Sequence, residues 1–137
     1  MSKKILIFGA TGSVGSSLAK LVKDSSMDAH LIGKNEGEIS SLKNQTGFTC
    51  SIADVTDPNF LEIIDKDLAG SEISGIAYCV GSIDLKPINL VSKKDYLKSF
   101  ELNLFPIVEI IKKFKDNLKK NKSSVVLFST VAVKQGF

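Results

Sequence analysis

The most constraining feature of this sequence is the glycine-rich turn Gly9-Ala10-Thr11-Gly12-Ser13-Val14-Gly15, which directly follows the apolar run Ile5-Leu6-Ile7-Phe8. A short apolar run closed by glycine fits a buried parallel strand. Beyond the turn, Val14, Leu18, Leu21 and Val22 recur at helical spacing, so the glycines join a strand to a helix. Backbone without side chains can come close to a phosphate there. A helix starting near Ser13 adds unpaired N–H groups and the positive end of its dipole. Gly15 lets that helix lie close to the sheet. A ligand-free turn is the simpler alternative, but the strand before and the helix after supply the context that a dinucleotide-phosphate site requires. A P-loop does not fit, because no Gly-Lys-Ser/Thr follows and Lys20 comes too late.

The rest of the chain alternates between strand-like and helix-like periods. Ala29 to Ile32 reads as a second strand closed by Gly33, Glu36 to Leu42 as a short helix, and Phe48 to Ile52 as a third strand. Asp57 and Pro58 are placed to open a helix as N-cap and first helical residue, with Phe60, Leu61, Ile64 and Leu68 as its apolar side. Ile76 to Val80 reads as a fourth strand, residues 81–92 as a loop, and Ser124 to Phe128 as a fifth strand. A long helical stretch from Lys93 to Lys120 carries the stripe Tyr96, Phe100, Leu104, Ile107, Ile111, Phe114 and Leu118, widened by Leu97, Phe105, Val108 and Ile110. So much apolar surface predicts packing on the sheet and on something else too. Pro106 cannot donate its backbone hydrogen bond and crowds the Leu102 carbonyl, which predicts a kink or break. Alternating strands and helices predict an α/β fold: a doubly wound, Rossmann-type parallel sheet in the order 3-2-1-4-5.

Composition narrows the classes. A chain of 137 residues with 43% hydrophobic and 24% charged residues suits one ordinary globular domain, residues 1–137. A net charge of +3 is too small to argue for nucleic acid, and the lysines between Lys112 and Lys122 read as a solvated helix end. Cys50 and Cys79 lie in strand-like runs and read as two buried thiols rather than a disulfide. His30 is the single histidine, so no zinc spacing exists. The apolar run after Met1-Ser2-Lys3-Lys4 is too short for a signal peptide, and no run approaches a membrane span, which predicts a cytoplasmic protein.

With these residues in place, the sequence resembles the short-chain dehydrogenase/reductase superfamily from the first strand to the fifth. The glycine turn is similar to the family's Gly-x-x-Gly-x-x-Gly form. In the form with a middle glycine, Ser13 stands in its place. Asp54-Val55 matches the family's Asp-Val at the adenine ring, where an aspartate accepts from the exocyclic amine and a valine packs on the base. Taken alone, Asp54 reads as a strand-end aspartate capping a turn. Cys79-Val80-Gly81 falls where the family has Asn-Ala-Gly and keeps only the glycine, so Val80 and Gly81 are expected beside the cofactor ribose. Asn103 matches the family's active-site asparagine on the long helix, beside a distortion for which Pro106 supplies a reason. Ser129-Thr130 matches the strand end carrying the substrate-positioning serine. Thr130 takes that position with an added methyl, and Ser129 is the fallback.

The end of the second strand bears on cofactor choice. An acidic residue there would bind the ribose hydroxyls and repel a 2′-phosphate. Gly33-Lys34-Asn35 has none, and Lys34 could pair with the phosphate. The expectation is NADP(H), with NAD second, although Glu36 and Glu38 lie nearby and Lys34 can also be read as a plain exposed lysine. A methyltransferase would require an acid at this place.

The resemblance implies hydride transfer between nicotinamide and a carbonyl or alcohol. In the family a Tyr-x-x-x-Lys pair about a dozen residues beyond the serine handles the proton. The chain stops at Phe137, and Tyr78 and Tyr96 lie in other elements. It is therefore expected to be the cofactor-binding front half of such an oxidoreductase, inactive alone and associating as a homodimer or higher oligomer through its uncovered apolar surface. The alternative is a non-catalytic dinucleotide-binding sensor.

Overall fold

The computed structural model describes residues 3–135. Five parallel strands, β1 (Lys4–Phe8), β2 (Asp28–Gly33), β3 (Thr49–Ile52), β4 (Ile73–Tyr78) and β5 (Ser124–Leu127), form one sheet in the order β3-β2-β1-β4-β5. β1 is central: Phe8 stands in register with Ile32 on one side and Tyr78 on the other. Alternation along β1 sorts its side chains between two cores. Ile7 joins Leu31 and Ala29 under α1 (Ser13–Asp24) and α2 (Glu36–Thr46), whereas Leu6 and Phe8 join Ile32 and Ile76 under α3 (Phe60–Leu68) and α5 (Phe105–Asn121). The sheet is thus covered by helices on both faces, as expected for the doubly wound order.

Several local readings shift. The buried stripe of α1 is Gly15, Ala19 and Val22, while Val14 and Leu21 are 49% and 63% exposed. α2 runs to Thr46, beyond the expected Leu42. It is capped at its start by the Asn35 side chain and ended by Gly47 at φ +81°. α3 begins at Phe60 rather than at Pro58, with Asn59 as N-cap. Asp57 instead belongs to a turn, its N–H donating to the Asp54 carbonyl at 3.0 Å. β4 starts earlier than expected and ends at Tyr78, so Cys79 and Val80 lie past the strand. The two thiols are free and only half-buried.

The long helical stretch is two helices. α4 (Lys93–Asn103) ends at Leu104, and α5 starts with Phe105 and Pro106. Of the expected stripe, Phe114 is buried, joined by Ile110 and Pro106. Tyr96, Leu97, Phe100, Phe105 and Val108 lie on the surface, where the rings of Phe100 and Phe105 stack at 6.0 Å. β5 is exposed along its whole length. Among the described residues no helix is long and apolar enough to cross a membrane, and no group of side chains is placed to hold a metal ion.

Candidate functional site

The carboxyl ends of β1, β4 and β5 and the start of α1 meet at one side of the sheet, where open α/β sheets bind ligands. Gly9 sits at φ +70°, and a Cβ there would stand 2.9 Å from the Cys79 carbonyl carbon and from the Val80 nitrogen. A Cβ on Gly15 would stand 2.2 Å from the Gly9 oxygen. These two glycines hold the turn tightly against α1 and against the chain leaving β4. Gly12 is different: an added Cβ would meet nothing closer than 3.5 Å. It is the N-cap of α1 and offers no side chain to bond the first turn. The first N–H groups of a helix have no intrahelical acceptor, so the start of α1 presents donors and positive dipole outward.

One cavity adjoins this turn through Val14, and a second adjoins the first. A crevice of about 830 Å³ at the ends of β4 and β5 is lined by Val14, Val80, Gly81, Asn103, Ser129 and Thr130, together with Ile83, Ile107 and Phe128. A groove of about 510 Å³ at the ends of β2 and β3 is lined by Lys34 and Asp54 and again by Asn103. Both volumes are of the size that holds a small molecule or a dinucleotide portion. Ser82, Asp84, Ser99 and Asn103 line both, so the cavities adjoin along the segment after β4. Thr11 lines neither of these two cavities. It lies beside Gly33 and lines a separate groove with Ser16, Lys20 and Glu38.

Asn103 is the last residue of α4, and its amide is fully engaged. Its Oδ1 accepts from the Ser82 N–H at 3.2 Å, while Nδ2 donates to the Ser82 carbonyl at 3.1 Å and to the Ser99 hydroxyl at 3.2 Å. The side chain thus clasps the backbone just beyond Gly81. The break that follows leaves the Leu102 carbonyl without the helical donor Pro106 would otherwise provide. The Tyr78 hydroxyl takes that place at 2.6 Å. Burial pushes the Tyr78 hydroxyl well above its ordinary titration range.

Asp54 holds its turn through Oδ1, which accepts from the Thr56 N–H at 3.0 Å and from the Thr56 hydroxyl at 2.7 Å. These bonds, the backbone one first, lower its pKa, and Lys34 adds a smaller attraction. Val55 is 7% exposed and packs in the core beneath the groove. Ser129 and Thr130 are both exposed, and the Thr130 hydroxyl accepts from the Ala132 N–H at 3.3 Å, capping a short 3-10 turn over Val131–Val133. The Cys79 thiol, raised in pKa by burial, lines the crevice.

Four contributors escaped the sequence reading. Tyr78 and Ser82 are joined to α4 only by tertiary contacts, which leave no local signal. Thr56 and Ser99 could have been found: Asp-x-Thr at a strand end is an Asx-turn pattern, and Ser99 precedes Asn103 by one helical turn.

Comparison with known proteins agrees with this geometry. The family model of short chain dehydrogenases matches residues 3–137. The 1-deoxy-D-xylulose 5-phosphate reductoisomerase of Pelagibacter ubique is 33% identical over 130 residues, covering 90% of this chain and 33% of that protein. The uncharacterized oxidoreductase YIR035C of Saccharomyces cerevisiae is 24% identical over 144 residues, covering 100% of this chain and 57% of its own length. The crystal structure of YIR035C superposes with a TM-score of 0.91 at 22% identity, covering 99% of this chain and 56% of that one. The KRED1-Pglu enzyme superposes with a TM-score of 0.92 at 16% identity over 99% of this chain and 60% of that one. An actinorhodin polyketide ketoreductase with NADPH superposes at 0.84 and 16% identity, over 99% and 56%. The chain spans from a third to just over half the length of the curated relatives it matches. With the family match running over residues 3–137, the chain belongs to the short-chain dehydrogenase family.

Proposed function

We propose that this chain is the cofactor-binding portion of an NADP(H)-preferring oxidoreductase acting on a carbonyl or alcohol. The observation that carries the reading is the uncapped start of α1, where Gly12 leaves room and donors for a pyrophosphate while Gly9 and Gly15 lock the turn. The residues fit a dinucleotide. The N–H groups of the first turn, from Ser13 to Gly15, take the pyrophosphate. Lys34, at the rim of the groove, pairs with a 2′-phosphate, and no acid ends β2 to repel it. Asp54 accepts from the adenine amine, and Val55 forms part of the wall beneath. Val80 and Gly81 keep the backbone close to the ribose. When bound, the nicotinamide supplies the hydride donor or acceptor.

Thr130 or Ser129 donates its hydroxyl hydrogen to the substrate oxygen at the end of β5. Asn103 keeps the segment after β4 in place, and through it the wall shared by both cavities. The exposed apolar faces of α4 and α5 support association into a dimer.

Calorimetric titration with NADPH and with NADH tests the reading. NADPH is expected to bind tighter, and Lys34→Ala to weaken it about tenfold while hardly changing NADH, as for one charge-assisted contact. Failure of both nucleotides to bind, or tighter binding of NADH, overturns it.

A further inference from the structure

The two cavities that meet at Asn103 differ in charge. The groove at the ends of β2 and β3 is rich in charge of both signs: Lys34, Lys86 and Lys98 stand with Asp54, Asp84, Asp95 and Glu101, and Lys86 and Lys98 pair with Asp95 and Asp84. The crevice at the ends of β4 and β5 has no cationic side chain among the described residues. Its one formal charge is negative: Asp84, on the boundary, which pairs with Lys98 at 3.3 Å. Its walls include Val14, Ile83 and Phe128, which are 49%, 72% and 56% exposed and therefore available to a ligand. Two hydroxyls, those of Ser129 and Thr130, stand at one end.

We infer that the crevice takes an uncharged, apolar carbonyl or alcohol, such as an aryl or alkyl ketone, and discriminates against carboxylated and phosphorylated substrates. This rests on the oxidoreductase reading above. A carboxylate or phosphate entering the crevice would lose water and find no cation in its lining, since Lys98 lies outside it and already pairs with Asp84, and burying an unpaired charge is costly. An apolar body covers Val14, Ile83 and Phe128 and gains by removing them from water. The hydroxyls then serve one carbonyl oxygen, the single polar contact such a ligand needs. A sugar phosphate of the kind in the name of the Pelagibacter relative would have its phosphate unpartnered here. The cations of the cleft thus lie on the groove side, among them Lys34 at the place proposed for the 2′-phosphate, and none lines the crevice proposed for the substrate.

The test titrates the chain, with and without NADPH, against acetophenone and against 4-acetylbenzoate, which differ only by a carboxylate. Amide shifts of Gly81, Ser129 and Thr130 report the crevice. Acetophenone is expected to bind about tenfold or more tighter, the scale of leaving one charge unpaired. Ile83→Lys, on an exposed side chain, is expected to narrow the difference by supplying a cation. Equal or tighter binding of 4-acetylbenzoate overturns the inference, as does absence of crevice shifts with either ketone. If calorimetry shows no NADPH binding while acetophenone is still preferred, the oxidoreductase reading fails and the substrate preference of the crevice stands. If NADPH binds and the preference is missing, only the latter fails.

Discussion

The Tyr78 hydroxyl donates to the Leu102 carbonyl at 2.6 Å, across the junction of β4 and α4, at the carbonyl that Pro106 leaves without a helical donor. A single residue type, proline at this place, therefore leaves an acceptor that a residue from another element fills. The next residue, Asn103, clasps the Ser82 peptide. The helix break, the strand and the cleft wall form one connected unit.

Tyr78→Phe tests that connection. The ring stays in its core position beside Phe8, 5.9 Å between centroids, and only the hydroxyl is lost. A half-buried carbonyl is then left unpaired, which costs about 1–3 kcal/mol. Urea unfolding is expected to show a lower midpoint with an unchanged slope, since the surface exposed on unfolding is the same. An unaltered midpoint would mean that water replaces the hydroxyl.

The glycines of the turn should separate folding from binding. Gly15→Ala places a Cβ 2.2 Å from the Gly9 oxygen, so backbone must shift, at a cost of about 1–3 kcal/mol or more. Gly12→Ala meets nothing nearer than 3.5 Å at an ordinary φ of −71°, so the fold is expected to survive with about 1 kcal/mol lost at most. Its methyl group nevertheless stands where the proposed pyrophosphate would approach. Thermal unfolding and NADPH titration of both variants check this: a Gly12→Ala chain that is folded and binds as well as the parent would remove the phosphate role.

The parts of this fold that were legible in the sequence are those whose signal is local. The strand, the glycine turn and the helix after it follow from close approach of backbone, and Pro106 announces its own break. The start of α3 was misread because Asp57-Pro58 looks like a cap, whereas Asp57 is engaged in a turn with Asp54. The apolar stripe of α4 and α5 was read correctly as apolar, but periodicity does not say what covers it. Among the described residues Pro106, Ile110 and Phe114 are buried, and Leu102, Ile107 and Leu118 pack against the core at its edge. In the site, Lys34, Asp54, Asn103, Ser129 and Thr130 were visible as strand-end and helix-end residues. The side chain of Thr11 lies beside Gly33 and lines a third groove, a placement that the turn motif alone does not give. Tyr78 was invisible because its partner is distant in the chain.

Asn103→Ala should loosen the cleft without unfolding the chain. The variant loses the bonds to both polar groups of the Ser82 peptide, which lies in an exposed segment. Hydrogen exchange at the Ser82 amide is expected to accelerate strongly while amides of β1 keep their protection, because local opening there no longer breaks the clasp. Equal protection in both chains would show that Asn103 does not hold the segment.

His30 gives the chain an acid sensitivity whose sign can be worked out. It is fully buried in β2, with Nδ1 2.7 Å from the Thr49 hydroxyl and Nε2 2.8 Å from the Ser51 hydroxyl. Ser51 donates its hydroxyl hydrogen to Asp67 at 2.7 Å, so it accepts from Nε2–H, and Nδ1 is left to accept from Thr49. This arrangement satisfies both nitrogens of the neutral ring. Burial, and then the nearby Lys4 charge, lower its pKa from 6.5 to about 4, against the weaker pull of Asp67 and Asp28. Between those values the unfolded chain binds a proton that the folded chain refuses, so stability rises with pH across that window. The contribution is complete above about pH 6.5 and is lost progressively as pH falls toward 4, amounting to on the order of 3 kcal/mol at most. Denaturant midpoints measured from pH 7.5 down to about pH 4 should fall along this curve, and His30→Gln should flatten it in that range. A parent curve already flat between pH 6.5 and 4 would show that the ring is charged in the folded chain, with Asp67 and Asp28 holding the proton that burial is expected to expel.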